Sequence, residues 1–188
     1  MVNKKLVLGI LVTFIILVIG GTLMYFFGVE ETIEPKIITL NEPIKAVGLS
    51  IETNMNTVYK DVSLILKKYM DYKNQFGISN LKEPWEFVAL SRNFRGNQSW
   101  EYLVGDVVTD FEQVPRELTS FQIPVGTYAI FPIVKPFTKL LWGLKIGKTK
   151  KYIYDTWLPN SQYEFAGFEF EYNNQKIEDE KNLLLNYM

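Results

Sequence analysis

No charge interrupts the chain between Leu6 and Val29, and this run restricts the fold more than any other feature of the 188 residues. As a helix, its 24 residues would extend about 36 Å at roughly 1.5 Å per residue, enough to cross a hydrocarbon core of about 30 Å. Lys4 and Lys5 precede the run, and Glu30, Glu31 and Glu34 follow it. Positive charge stays on the cytoplasmic side, so the remainder of the chain is expected outside. Tyr25, Phe26 and Phe27 suit the outer interfacial belt. A cleaved signal peptide would need a shorter apolar run and a small-residue cleavage site, and a lipoprotein signal would need a Cys. The expected organisation is therefore an uncleaved single-pass anchor over 1–29, a tether over 30–43 carrying Pro35 and Pro43, and a domain over 44–188 outside the cell membrane.

Cys and His are both absent. That removes disulfides, thiolate zinc sites, Cys nucleophiles, the Ser-His-Asp triad and nearly every transition-metal site, so neither a metal nor a cofactor is expected. Any chemistry falls to carboxylates, Tyr, Lys or backbone. A formal net charge of −1 argues against a nucleic-acid surface, while 47% hydrophobic and 15% aromatic residues are ample for a core.

Along the domain, Ile44–Thr53 is β-branched and partly alternating, with Gly48 as a candidate bulge. Asn54 or Asn56 can cap a helix whose apolar positions Val58, Val62, Ile65, Leu66, Tyr69 and Met70 keep helical spacing up to Gly77. Trp85–Arg92, a turn over Asn93–Ser99 and Trp100–Thr109 form a hairpin. Leu118–Ile123 and Thr127–Phe131 are strands separated by a bend at Pro124. Phe137, Leu140, Leu141 and Leu144 begin a second helical region, weakened at Gly143 and Gly147 and continued by a second piece through Trp157 to Pro159. Phe165–Tyr172 is a strand, and Lys181–Met188 is a last one. The order is β-α-β-β twice, which predicts an α+β domain of two similar halves with antiparallel sheet and a groove between them.

In the strand Phe165–Tyr172, Phe168, Phe170 and Tyr172 share one face, and Glu169 and Glu171 share the other. A carboxylate among rings would bind cations or act as a base. One on a solvated face would do neither. The candidate pocket residues are Trp100, Tyr102, Tyr128, Trp142, Tyr152 and Trp157, with Glu169 or Glu171 as the acid.

Five segments resemble the GyrI-like small-molecule-binding domain, the effector-binding domain also found in AraC- and MerR-type multidrug-sensing regulators. They are Ala46-Val-Gly-Leu-Ser50, Trp100-Glu-Tyr-Leu-Val-Gly105, Ile123-Pro-Val-Gly-Thr-Tyr-Ala-Ile-Phe131, Trp157-Leu-Pro-Asn-Ser161 and Phe168-Glu-Phe-Glu-Tyr172, in family order across 44–188. The resemblance implies a duplicated β-α-β-β fold and an aromatic pocket between the halves, with a Glu that meets cationic ligands. No helix-turn-helix fits in the 43 residues before the domain, so the family's link to DNA does not carry over.

Two or three rings and one carboxylate, with cation–π contacts of about 0.5–2 kcal/mol each, can approach the roughly 8 kcal/mol of micromolar binding. This favours a membrane-anchored binder of small lipophilic, possibly cationic, molecules. The resemblance also implies a second reading, a hydrolase of electrophilic small molecules, with a pocket Glu as base and Tyr102 or Tyr128 orienting the substrate. A third is a lipid-facing surface built on Lys135, Lys139, Lys145, Lys148, Lys150 and Lys151. Such a run is more often a solvated helix edge.

Overall fold

A computed structural model describes residues 13–17, 20, 34–131 and 139–173, with the side chains of 139–142 and 173 outside that description. The chain divides into two units, Met1–Ile33 and Glu34–Met188. In the first, Thr13–Leu17 is helical, and Phe14, Ile15, Ile16 and Leu17 are all exposed. Among the described residues no helix is long and apolar enough to cross a membrane. The rest of the run from Leu6 to Val29 lies outside them, as does Lys181–Met188.

The second unit contains β1 (Lys36–Leu40), β2 (Ile44–Asn54), α1 (Val58–Phe76), β3 (Phe87–Arg92), β4 (Ser99–Val108), β5 (Thr119–Ile123), β6 (Gly126–Ile130), α2 (Lys139–Tyr152) and β7 (Phe168–Asn173). The strands form a five-stranded sheet in the order β5-β2-β4-β3-β7 and a two-stranded sheet, β1-β6. Every pairing is antiparallel. The result is an α+β fold. Strand β1 falls inside the stretch expected to be a tether, because Ile38 and Leu40 pack on the core and Ile37 and Thr39 pair with Ala129 and Thr127. The bend at Pro124 moves the chain from the large sheet to the small one, so β5 and β6 are not one continued strand.

Alternation along β4 sorts the large sheet's two faces. Leu103 and Val107 join Ala46, Val88, Leu90, Tyr128 and Phe170 in a core shared with the small sheet. On the opposite face, Val104 and Ala89 pack with Ile65 and Tyr69 of α1. A buried polar clamp holds α1 there. The Tyr69 hydroxyl donates to Asp106 Oδ2 at 2.8 Å and accepts the Asp106 N–H at 3.1 Å, and Lys73 Nζ donates to Oδ1 at 2.9 Å. Burial, reinforced by Asp106, pushes the Tyr69 phenol far above its usual pKa, so it stays a donor.

Two local expectations need correction. Gly48 is not a bulge: β2 and β4 keep one unbroken register from Lys45–Val108 to Asn54–Ser99, with Gly48 opposite Gly105. The backbones approach so closely that a Cβ on Gly48 would lie 1.8 Å from the Val104 carbonyl oxygen, the other reason a strand requires glycine. The N-cap position of α1 is Thr57, and the Asn54 side chain instead accepts the Asn56 N–H at 2.9 Å within the preceding turn. The second helical region is one helix across Gly143 and Gly147. It widens into a π turn at Ile153–Trp157 and ends with a final turn at Leu158–Asn160.

Candidate functional site

Strand β7 pairs with β3 without a bulge, so Glu169 and Glu171 point to the same face, the one that α1 covers. Glu169 lies across from Ser91, which lies across from Tyr102. Glu171 lies across from Ala89, which lies across from Val104. Two carboxylates on β7 and a phenol on β4 are thereby fixed across the intervening β3, where sheet geometry leaves little freedom.

The helices supply the rest. Glu169 is only 3% exposed, and two donors from the second helical region meet it. The Lys150 ammonium donates to Oε1, and the Tyr154 hydroxyl donates to Oε2 at 2.8 Å. Tyr59, in the first turn of α1, reaches toward α2, where its Cε1 would lie 3.2 Å from a Cβ placed on Gly143. Tyr59 is 71% exposed and electrostatically close to Lys150, so it stands at the mouth of the site.

Among the described residues the charges do not balance. Burial disfavours the Lys150 ammonium, but Glu169, then Glu171, and the hydrogen bond to Glu169 overcome that and hold its pKa above the usual value. Glu171 is half-buried and, among the described residues, accepts no hydrogen bond. Burial raises its carboxyl pKa and Glu169 raises it further, against a partial opposing effect from Lys150. Burial, then Glu171 and Glu169, likewise push the Tyr102 phenol well up. Lys150 thus compensates one carboxylate of two.

The candidate residues separate accordingly. Glu169, Glu171 and Tyr102 come together. Trp100 is buried on the same face, two residues before Tyr102, and stacks on Phe94. Tyr128 does not belong to the site. It lies on the opposite side of the sheet, edge-on to Phe168 and Phe170, with its hydroxyl donating to the Pro124 carbonyl at 2.6 Å. Its ring is apolar core because the residues alternate with Glu169 and Glu171 along β7. Trp157 packs edge-on to Phe131 and stacks on Tyr163, and no described contact links it to either acid. Tyr152 is half-buried two helical positions before Tyr154, on another side of the helix. Trp142 lies on α2 with its side chain outside the described residues.

Lys150 and Tyr154 were missed. Lys150 sits in a basic run, and its neighbours Lys148 and Lys151 are indeed exposed. A signal was nevertheless present: Ile146, Lys150, Ile153 and Trp157 follow one helical stripe, so this lysine occupies an apolar face. A shallow, solvent-open depression is lined by Val47, Ile78, Val114 and Leu118, and shares no residue with the carboxylate site.

With this arrangement defined, comparison with known proteins identifies the domain. Residues 36–186 match the model of Cass2, integron-associated effector binding protein. The chain belongs to this family. It therefore carries a small-molecule, effector-binding domain. Solved structures share its fold. An integron cassette protein from the mobile metagenome of Vibrio cholerae aligns at TM-score 0.54 and 12% identity, covering 82% of this chain and 94% of its own. SAV2435 bound to tetraphenylphosphonium aligns at TM-score 0.60 and 11% identity, covering 82% and 94%. A putative bacterial transcription regulation protein from Staphylococcus aureus MU50 aligns at TM-score 0.56 and 10% identity, covering 82% and 95%. No curated protein matches the chain.

Proposed function

We propose that this effector-binding domain takes small lipophilic monocations, with Glu171 as the carboxylate that meets the ligand's charge. The observation that carries this reading is that, among the described residues, one ammonium meets two inward carboxylates: with Lys150 on Glu169, the charge of Glu171 is left for a ligand. A ligand cation at about 4 Å from it gains about 4 kcal/mol at an effective dielectric near 20. Tyr59 and Tyr102 can add about 0.5–2 kcal/mol each. The tetraphenylphosphonium in one structural relative is a ligand of this class.

Glu171→Gln is expected to weaken tetraphenylphosphonium binding by about 10- to 100-fold, the part of that Coulomb attraction left after the carboxylate is desolvated. Exposed Glu112→Gln is expected to leave it unchanged. Isothermal titration measures both, and equal affinities in wild type and Glu171→Gln would exclude the assignment. The pH dependence follows from the raised Glu171 pKa. The ionised form binds the cation, so affinity is full above that pKa and falls as pH drops through it. The acid limb then lies above 4.5, the ordinary value for Glu, and disappears in Glu171→Gln.

The membrane run completes the proposal. Residues 6–29 anchor the chain with its N-terminus cytoplasmic, so the domain samples cations outside the cell membrane. The exposed apolar helical residues Phe14–Leu17 support this reading. Carbonate extraction should leave the full chain in the membrane pellet, and its release into the supernatant would rule out the anchor.

One observation favours a second reading, hydrolysis of electrophilic small molecules: a carboxyl with a raised pKa lies near the Tyr102 phenol. Glu171 could take a proton from water as its oxygen attacks a strained ring carbon, and return that proton to the carbon released by ring opening. Incubation with an electrophilic cyclopropane should then yield ring-opened product in wild type but not in Glu171→Gln. Absence of product at high protein concentration would end this reading for that substrate class.

A further inference from the structure

Four rings form a chain of contacts that ends at the carboxylate site. Trp100 stacks on Phe94, with centroids 5.9 Å apart and planes at 25°. Phe94 meets Phe165 edge-on at 5.4 Å, and Phe165 meets Tyr154 edge-on at 5.7 Å. Tyr154 is the residue whose hydroxyl holds Glu169. Phe94, the second ring, is 41% exposed, so the array reaches solvent there, with buried Trp100 on one side of it and the buried acid beyond Tyr154 on the other.

Within this array one polar atom is unaccounted for. Trp100 is 8% exposed, and its indole N–H is buried with no acceptor among the described residues. Indole is a donor only, and buried donors in native proteins are almost always paired. The side chain also lies on the ligand-facing side of β4, two residues before Tyr102.

We propose that the Trp100 indole N–H is a ligand-reading donor, and that the domain selects flat aromatic cations bearing a carbonyl oxygen. The aromatic body lies along the Phe94–Phe165 shelf, the cation meets Glu171, and the carbonyl accepts from Trp100. This inference rests on the cation-binding reading and narrows it. A cation with no acceptor still binds, but leaves the donor unsatisfied. A site that places a donor against a ligand acceptor discriminates against the analogue lacking it.

A matched pair of probes tests this: 6-acetyl-N-methylquinolinium and 6-isopropyl-N-methylquinolinium. They share charge and nearly share shape, and differ in the carbonyl. The full-length chain is expected to bind the acetyl compound about tenfold more tightly, the value of one net hydrogen bond. Trp100→Phe should bring the two affinities together, mainly by weakening the acetyl compound. In case that variant folds poorly, wild-type protein supplies an independent readout. The Trp100 indole proton should move downfield in the proton–nitrogen NMR spectrum with the acetyl probe and not with the isopropyl probe. Equal wild-type affinities, with both probes weakened by Glu171→Gln, would overturn the carbonyl inference and leave cation binding standing. A preference that survives in Trp100→Phe would assign the discrimination to another residue. Failure of both probes to bind would remove the cation reading and this inference together.

Discussion

Gly48→Ala is expected to cost more than about 4 kcal/mol of folding stability, the range reserved for severe steric conflict. The alanine Cβ would sit 1.8 Å from the Val104 carbonyl oxygen and 2.6 Å from the Gly105 Cα. Both are backbone atoms of the central strand β4, so no side-chain rotation relieves the conflict. Gly105→Ala meets the mirror problem, with its Cβ 2.3 Å from the Val47 carbonyl oxygen. Separating the strands would break the longest ladder in the sheet, to which β5 and β3 are attached on either side. Gly96→Ala, in the β3–β4 turn, has open space at its Cβ and is the matched control. Urea denaturation of the three variants tests the contact. A Gly48→Ala protein that unfolds at the wild-type midpoint would show that the strands do not approach as described.

The paired glycines illustrate what a single sequence makes legible and what it does not. The hydrophobic periods that locate β2, α1, β3 and β4 are local, and the structure places those elements within a residue or two of where the spacing predicts them. Whether Gly48 bulges or permits close approach depends on its partner strand, which no local pattern names. The same limit separates the site residues. Alternation along β7 put Glu169 and Glu171 on one face. It could not say that Tyr128, in a motif typical of the family, would end on the other face, because that depends on the small sheet packing against Phe168 and Phe170. Lys150 was obscured differently. A lysine in a run of lysines has the composition of a solvated edge, and only its stripe with Ile146, Ile153 and Trp157 distinguishes it. The expected tether concealed β1 because that short strand gains its stability from pairing with β6, some 90 residues later by register.

Lys150→Met should have two opposite effects, and their combination identifies Lys150 as a built-in counter-ion. Without ligand, removing the ammonium leaves Glu169 buried without its cation, still held by the Tyr154 hydroxyl and close to a second carboxylate. Breaking one side of a buried pair costs roughly 3–5 kcal/mol, and the partial exposure of Lys150 places the expected loss at the lower end, about 3 kcal/mol. The loss should be greatest above the raised pKa of Glu171 and should shrink as pH falls through it and a proton replaces the missing ammonium. Lys150→Met/Glu169→Gln removes both charges, so the double variant should recover most of that stability. With ligand, the direction reverses. The single variant presents two uncompensated carboxylates to a cation, so tetraphenylphosphonium should bind about tenfold more tightly and raise the melting temperature more than it does in wild type. A merely structural lysine would lower stability without improving cation affinity, and the double variant would not recover. The proposed counter-ion requires all three results together: an unstable unliganded protein, a tighter complex, and rescue by neutralising Glu169.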